Sequence, residues 1–349
     1  MAFQKEGNRV ELSKLSYRVS VNGRQRQSEQ PQALEENTPM PTKRPLKTTQ
    51  GKRISLVLGS GGARGLAHIG VIRWLEEQGY DICSVSGCSM GALVGGAYAA
   101  GKLDEVEEWF CNIRKVDIVG LLDISWQKSG LVKGDKIMNA LIELVGDQMI
   151  EDLPIAYTAV ATDIVRQKEV WLQSGRLFDA IRASISLPMF FTPFRYNGVD
   201  LIDGGVLNPV PIAPAFSDHS DRIIAVSLSG EPQGHDKVET LDDLQAEKTA
   251  SEKTEDDESI YDKVGEWLQP FLNGGAEENA SNLTVYEVAD LAFDSMQNSI
   301  ARQKLAAYPP DLLLEVASDA CGSMEFDRAR EMIDLGYRIA SEKMPEHFK

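Results

Sequence analysis

The run Gly87-Cys88-Ser89-Met90-Gly91 constrains what this chain can fold into more than any other feature of it. It reads Gly-x-Ser-x-Gly, with the apolar segment Ile82 to Val85 before it and the small-residue segment Ala92 to Ala100 after it. The first predicts a strand and the second a helix, so the serine falls on the turn between them. A serine on such a turn is strained and holds its hydroxyl clear of both elements. The flanking positions must be glycine, because a side chain there would collide with the neighbouring strand or helix. In that setting Ser89 is a candidate nucleophile and Gly87 and Gly91 support it. The motif alone also fits a tight small-residue turn with no chemistry.

The segments around the motif alternate between strand and helix. Ile54 to Leu58 has the length of a buried strand, and Leu66 to Gln78 reads as a helix stopped by Gly79. Helices are expected over Asp104–Arg114, Asp135–Val145, Leu177–Ser184, Val285–Ala306 and Asp327–Lys343. Strands are expected over Ile155–Thr162, Glu169–Leu172, Val199–Ile202, Ile223–Leu228 and Leu312–Val316. This alternation predicts an α/β fold with a mostly parallel central sheet flanked by helices, in one domain over 51-349. The flanks differ in charge. Residues 1–53 carry 11 Lys and Arg against 5 Glu, and residues 231–258 carry 11 Asp and Glu against 3 Lys. Both are poor in large apolar residues. Residues 1-50 are therefore expected to be a disordered basic tail, and about 231-280 an acidic, flexible insertion.

Gly59-Ser60-Gly61-Gly62-Ala63-Arg64-Gly65 lies between the first strand and its helix. Glycines there let several backbone N–H groups face one cavity, which suits a phosphate or the oxyanion of acyl transfer. A dinucleotide fingerprint is the competing reading, with Asp81 near the expected acid position, but the glycine spacing does not match it. A serine nucleophile needs a base. Of the four histidines, His68 sits in the helix after the glycine loop, His219 in a polar turn, His235 in the acidic insertion and His347 near the end. A triad through Asp203 and His219 or His235 stays open. Asp203, which leaves an apolar strand before Gly204 and Gly205, is itself a candidate base if buried within reach of the hydroxyl.

In this order the three motifs resemble the patatin-like phospholipase family: glycine cradle, Gly-x-Ser-x-Gly, then Asp-Gly-Gly. The resemblance extends through Arg182 to Pro188, through Asn208-Pro209-Val210-Pro211, and to the tail from Ala307 to Ala329. That tail looks like the bacterial branch related to the catalytic domain of neuropathy target esterase. The resemblance implies a three-layer patatin-like fold and a serine lipid acyl hydrolase of phospholipase, lysophospholipase or carboxylesterase type. It implies Ser89 and Asp203 as a catalytic dyad without histidine, and Gly61, Gly62, Ala63 and Arg64 as the oxyanion loop. Ser60 departs from the pattern, standing where many members have glycine. A catalytically silent acyl-binding or regulatory protein of this fold and an acyltransferase are the alternatives.

The partner expected is a lipid or other acyl-ester substrate. Leu187, Met189, Phe190, Phe191 and Phe194 are candidates to line its acyl pocket, or to pack in the core. Trp126 and Trp171 are candidates to sit at a lipid interface. The net charge of −17 excludes nucleic acid as a partner, since phosphates are repelled. The basic tail allows peripheral membrane contact with anionic headgroups. The four cysteines (Cys83, Cys88, Cys111 and Cys321) have neither metal-ligand nor disulfide spacing, so no metal and no cofactor is expected. No signal-peptide or spanning segment is evident, and the expected location is cytoplasmic, peripheral to the inner membrane at most.

Overall fold

A computed structural model describes residues 52–121, 132–233 and 285–347. The predicted basic tail, Trp126, His235 and all but the first three residues of the predicted insertion lie outside them. In chain order the strands are β1 (Arg53–Leu58), β2 (Asp81–Cys88), β3 (Ala156–Asp163), β4 (Lys168–Leu172), β5 (Phe194–Tyr196), β6 (Val199–Asp203), β7 (Arg222–Gly230) and β8 (Leu312–Ala317). The helices are α1 (Ala67–Glu77), α2 (Met90–Ala99), α3 (Leu103–Asn112), α4 (Lys115–Leu121), α5 (Asp135–Val145), α6 (Leu177–Ser184), α7 (Val285–Ala307) and α8 (Ala329–His347).

The sheet runs β5-β6-β3-β2-β1-β7-β8, with β4 paired to β3 off that path. β3, β2, β1, β7 and β8 are mutually parallel, and β4, β5 and β6 join by antiparallel pairing. β1 is apolar on both faces because both are covered, as parallel strands usually are. Leu56 and Leu58 enter the large core with α1, α2, α6 and α8, while Val57 packs on the opposite side with Val210, Ile212, Ala215 and Ala301 of α7. The mostly parallel sheet between helices agrees with the fold class expected from the motifs.

Helix α1 stops where Gly79 predicts. Tyr80 N donates to Leu75 O at 2.9 Å and Gly79 N to Glu76 O at 2.9 Å, which closes the last turn. α2 is buried at all ten positions, which the small residues of its sequence permit. Two elements escaped the sequence pattern. β5 forms because Asn197 and Gly198, both at positive φ (48° and 80°), close a tight hairpin onto β6. α4 is a seven-residue helix whose short apolar run carries no distinctive period. Among the described residues, no helix is long and apolar enough to cross a membrane.

The topology brings three loops together. β1 and β2 are neighbours in register, Leu58 opposite Gly87, so the glycine loop and Ser89 emerge side by side at their carboxyl ends. β3 carries the third. Val160 pairs with Cys88 and the next residue, Ala161, pairs with Asp203, so Asp203 reaches the level of Ser89 from an antiparallel strand.

Candidate active site

The strand β2 runs to Cys88 and α2 begins at Met90, so Ser89 alone makes the turn, at φ 54° and ψ −122°. A non-glycine residue rarely holds that conformation. The two elements must pack closely to hold it. A Cβ on Gly87 would lie 2.3 Å from Gly91 O, and one on Gly91 would lie 2.1 Å from Leu58 O. Ser89 N donates to Ser184 Oγ at 2.9 Å, and Ser184 Oγ donates to Val160 O at 2.6 Å. The elbow is thus tied to α6 and β3. Ser184 lies in the Arg182 to Pro188 segment of the resemblance, which assigned it no role.

Ser89 Oγ donates to Asp203 Oδ2 at 2.6 Å. Asp203 is fully buried. Its Oδ1 accepts from Gly205 N at 2.7 Å and from Cys88 Sγ at 3.7 Å, and its own N–H donates to Ser186 O at 2.9 Å. Burial raises the Asp203 carboxyl to about 6, while the hydrogen bonds from Ser89, Gly205 and Cys88 act to lower it. Gly204 and Gly205 form the turn that follows, Gly204 against Val160 O and Cys88 Sγ, Gly205 against Gln297 and Ser60.

His68 and His219 stand elsewhere. His219 is exposed, and its neighbour Asp218 accepts from Ser55 Oγ at 3.2 Å, on the strand positions far from the elbow. His68 is buried, with Nε2 2.9 Å from Gly59 O and Nδ1 without a partner among the described residues. The dinucleotide reading fails on geometry as well. Asp81 pairs with Arg53 at the amino end of β1, about 16 Å of strand away from the glycine loop.

The glycine loop is held by three backbone hydrogen bonds. Gly59 N donates to Val226 O, Ser60 N to Pro209 O and Ala63 N to Ser323 O. Gly62 sits at φ 58°, and a Cβ there would meet Ser323 O at 2.4 Å. The Ala63 amide is therefore taken, which removes it from the expected oxyanion donors. Among the described residues the Gly61 and Gly62 amides have no partner, and both residues line the same cleft as Ser89. Arg64 is 4% exposed. Its Nε donates to Gly61 O at 3.1 Å, Nη1 to Ser318 O and Nη2 to Asp294 Oδ2 at 3.0 Å. It staples the loop from behind.

Beyond Ser89 the cleft opens into a cavity lined mostly by apolar side chains. Leu187, Phe190 and Phe191 line it as the sequence suggested. Met189 is half-exposed and Phe194 packs instead against the Arg182 guanidinium and the core, so neither lines it. Buried Arg182 anchors this loop, donating from Nη1 to Ser186 Oγ at 2.5 Å and from Nη2 to Thr192 O at 3.1 Å. The remaining walls come from Trp109, Phe110 and Ile113, from Ile118 and Leu121, from Ile137 and Leu141, and from Phe293 of α7. Their apolar spacing is indistinguishable in sequence from ordinary core. Trp171 is half-exposed on β4, with its indole N–H near Glu169.

The family model for patatin-like phospholipases matches residues 56–216, which hold the glycine loop, Ser89 and Asp203. An NTE family protein of Mycobacterium bovis is 38% identical over 342 residues, covering 88% of this chain and 95% of the relative. The lysophospholipase nte1 of Emericella nidulans is 28% identical over 302 residues, 84% of this chain but 18% of the fungal protein. A patatin-like phospholipase domain-containing protein of Caenorhabditis elegans is 39% identical over 168 residues, 46% of this chain and 12% of the relative.

Proposed function

The chain belongs to the patatin-like phospholipase family, and on that premise we propose that it is a serine lipid acyl hydrolase working through a Ser89–Asp203 dyad. One observation carries the reading: the Ser89 hydroxyl donates at 2.6 Å to a fully buried carboxylate, in a cleft also lined by Gly61 and Gly62, whose amides have no partner among the described residues.

The chemistry follows from those groups. Asp203 Oδ2 accepts the Ser89 proton as Oγ bonds to the ester carbonyl carbon. The developing oxyanion is met by the Gly61 and Gly62 amides, each donor lowering the barrier by about 3 kcal/mol. The proton passes from Asp203 to the leaving alkoxide as the carbonyl–oxygen bond breaks, which leaves an acyl ester on Ser89. Water then adds to that ester, giving one proton to Asp203, and collapse returns the proton to Ser89 Oγ and releases the acid. The apolar cavity supports an acyl chain as the group held. The lysophospholipase name of the fungal relatives supports a single-chain phospholipid as substrate.

Purified protein tests this with p-nitrophenyl acyl esters and a lysophospholipid. Ser89→Ala is expected to lower kcat/KM at least about a thousandfold without changing the fold by circular dichroism. A Ser89→Ala protein within tenfold of wild type would overturn the assignment.

A further inference from the structure

The acyl cavity has a neighbour. A second cleft, on the outer side of α3 and α4, is lined by Glu105, Glu108, Asp117 and other residues, and it shares Trp109, Ile113 and Leu121 with the cavity that opens on Ser89. These three side chains therefore form a single-layer partition, with an apolar space on one side and a carboxylate-edged, solvent-open space on the other. Part of the cavity's remaining lining belongs to the packed core. Leu141, Met90 and Leu93 are buried members of the main core.

Resting on the hydrolase reading above, we propose that Ile113 and Leu121 are specificity-determining residues that end the acyl site and so set the longest chain it accepts. Trp109 is the fixed side of the partition. Its ring lies edge-on to Phe110 at 4.9 Å, and Phe110 stacks on Phe326 at 5.9 Å. Ile113 lies in the link after α3 and Leu121 ends α4, and both are half-buried, so their side chains can be shortened without opening the main core. While a chain grows inside the apolar cavity, each methylene leaves water and strengthens transition-state binding by about fourfold, from ~0.8 kcal/mol per buried CH2. Once the chain meets the partition, a further methylene finds no apolar volume and the gain stops. Shortening Ile113 or Leu121 joins the two spaces, and the chain can continue.

The test is the chain-length profile of kcat/KM for p-nitrophenyl esters from butyrate to palmitate. Wild type is expected to rise by about fourfold per carbon and then level or fall. In Ile113→Ala and Leu121→Ala the break moves to longer chains, and the palmitate-to-butyrate ratio rises by about tenfold or more, two to three methylenes' worth. Ile137→Ala, which enlarges the cavity without shortening a residue shared with the second cleft, leaves the break where it was. Ile113→Val is the milder variant should the alanine variants unfold, and it shifts the ratio the same way by less. A break at the same length in all of these proteins, or none in wild type, overturns the inference. Loss of hydrolysis in Ser89→Ala alongside an unmoved break refutes only the partition, whereas hydrolysis that survives Ser89→Ala refutes the site itself.

Discussion

At the scale of single residues the decisive group is Asp203. Burial lifts its carboxyl to about 6, so below that pH it holds a proton and cannot accept one from Ser89. The pH profile of kcat/KM should therefore rise through about 6 and stay level above it. An acid limb near 4 instead would mean that the carboxylate is solvated in solution. The same shift has a stability sign. The folded state binds this proton more tightly than the unfolded chain does, so the associated stability is complete below about 4 and is lost as pH rises through about 6. At neutral pH the buried carboxylate thus costs about 3 kcal/mol. Asp203→Asn removes the charge but keeps an acceptor for Gly205 N. It should abolish hydrolysis yet raise stability at neutral pH by about 1–3 kcal/mol in denaturant titration. An inactive variant that is also less stable would contradict this account. Asp203 was legible as a candidate because an apolar strand ended on it before two glycines. Its pairing with Ser89 was implied only by the family resemblance and not by any local pattern, because 114 residues separate the two and β3, lying between their strands, brings them level.

At the scale of elements the instructive pair is the glycine loop and α7. The helical period of α7 was readable in sequence, but its role was not. Asp294 ion-pairs with Arg64 at 3.0 Å, and Gln297 Nε2 lies 3.4 Å from Ser60 Oγ, so a helix some 230 residues downstream braces the loop. Arg64 in turn occupies the Gly61 carbonyl. Asp294→Ala leaves a buried guanidinium without its carboxylate. The loss should be about 1–3 kcal/mol, below the ~3–5 of a fully buried pair because Asp294 is 27% exposed. If the brace sets oxyanion geometry, kcat falls by about tenfold or more while KM changes little, and Asp294→Asn recovers part of the loss. Equal kcat in wild type and Asp294→Ala would reduce the ion pair to a purely structural contact. The hairpin of β5 and β6 shows the converse. Its Asn197-Gly198 signal was present in the chain, but the strand it closes is three residues long and carries no pattern of its own.

At the scale of the whole molecule, two buried titrating groups oppose each other. Burial lowers His68 to about 4, with the Gly59 carbonyl bond acting the other way. A base depressed in the folded state contributes stability that is present above about 6.5 and lost as pH falls towards 4, here about 3 kcal/mol. Asp203 gains stability over nearly the same interval as pH falls, so the wild-type stability curve should be flatter between pH 4 and 6.5 than that of either variant. In Asp203→Asn the His68 loss is unmasked and stability should drop steeply on acidification; in His68→Gln it should rise. Parallel curves for all three proteins would show that one of the groups is hydrated in solution. The sequence by itself determined the strand–turn–helix around Ser89, the glycine loop before it, the alternation that makes a parallel sheet, and the family resemblance, because each is written in contiguous residues with a local steric or periodic cause. The tertiary structure alone decided which amides of the loop are without partners among the described residues, that Arg64 faces inward, and that His68 and His219 stand away from the elbow. Those outcomes depend on contacts between residues tens to hundreds of positions apart, whose geometry is set by sheet order and packing rather than by any local pattern.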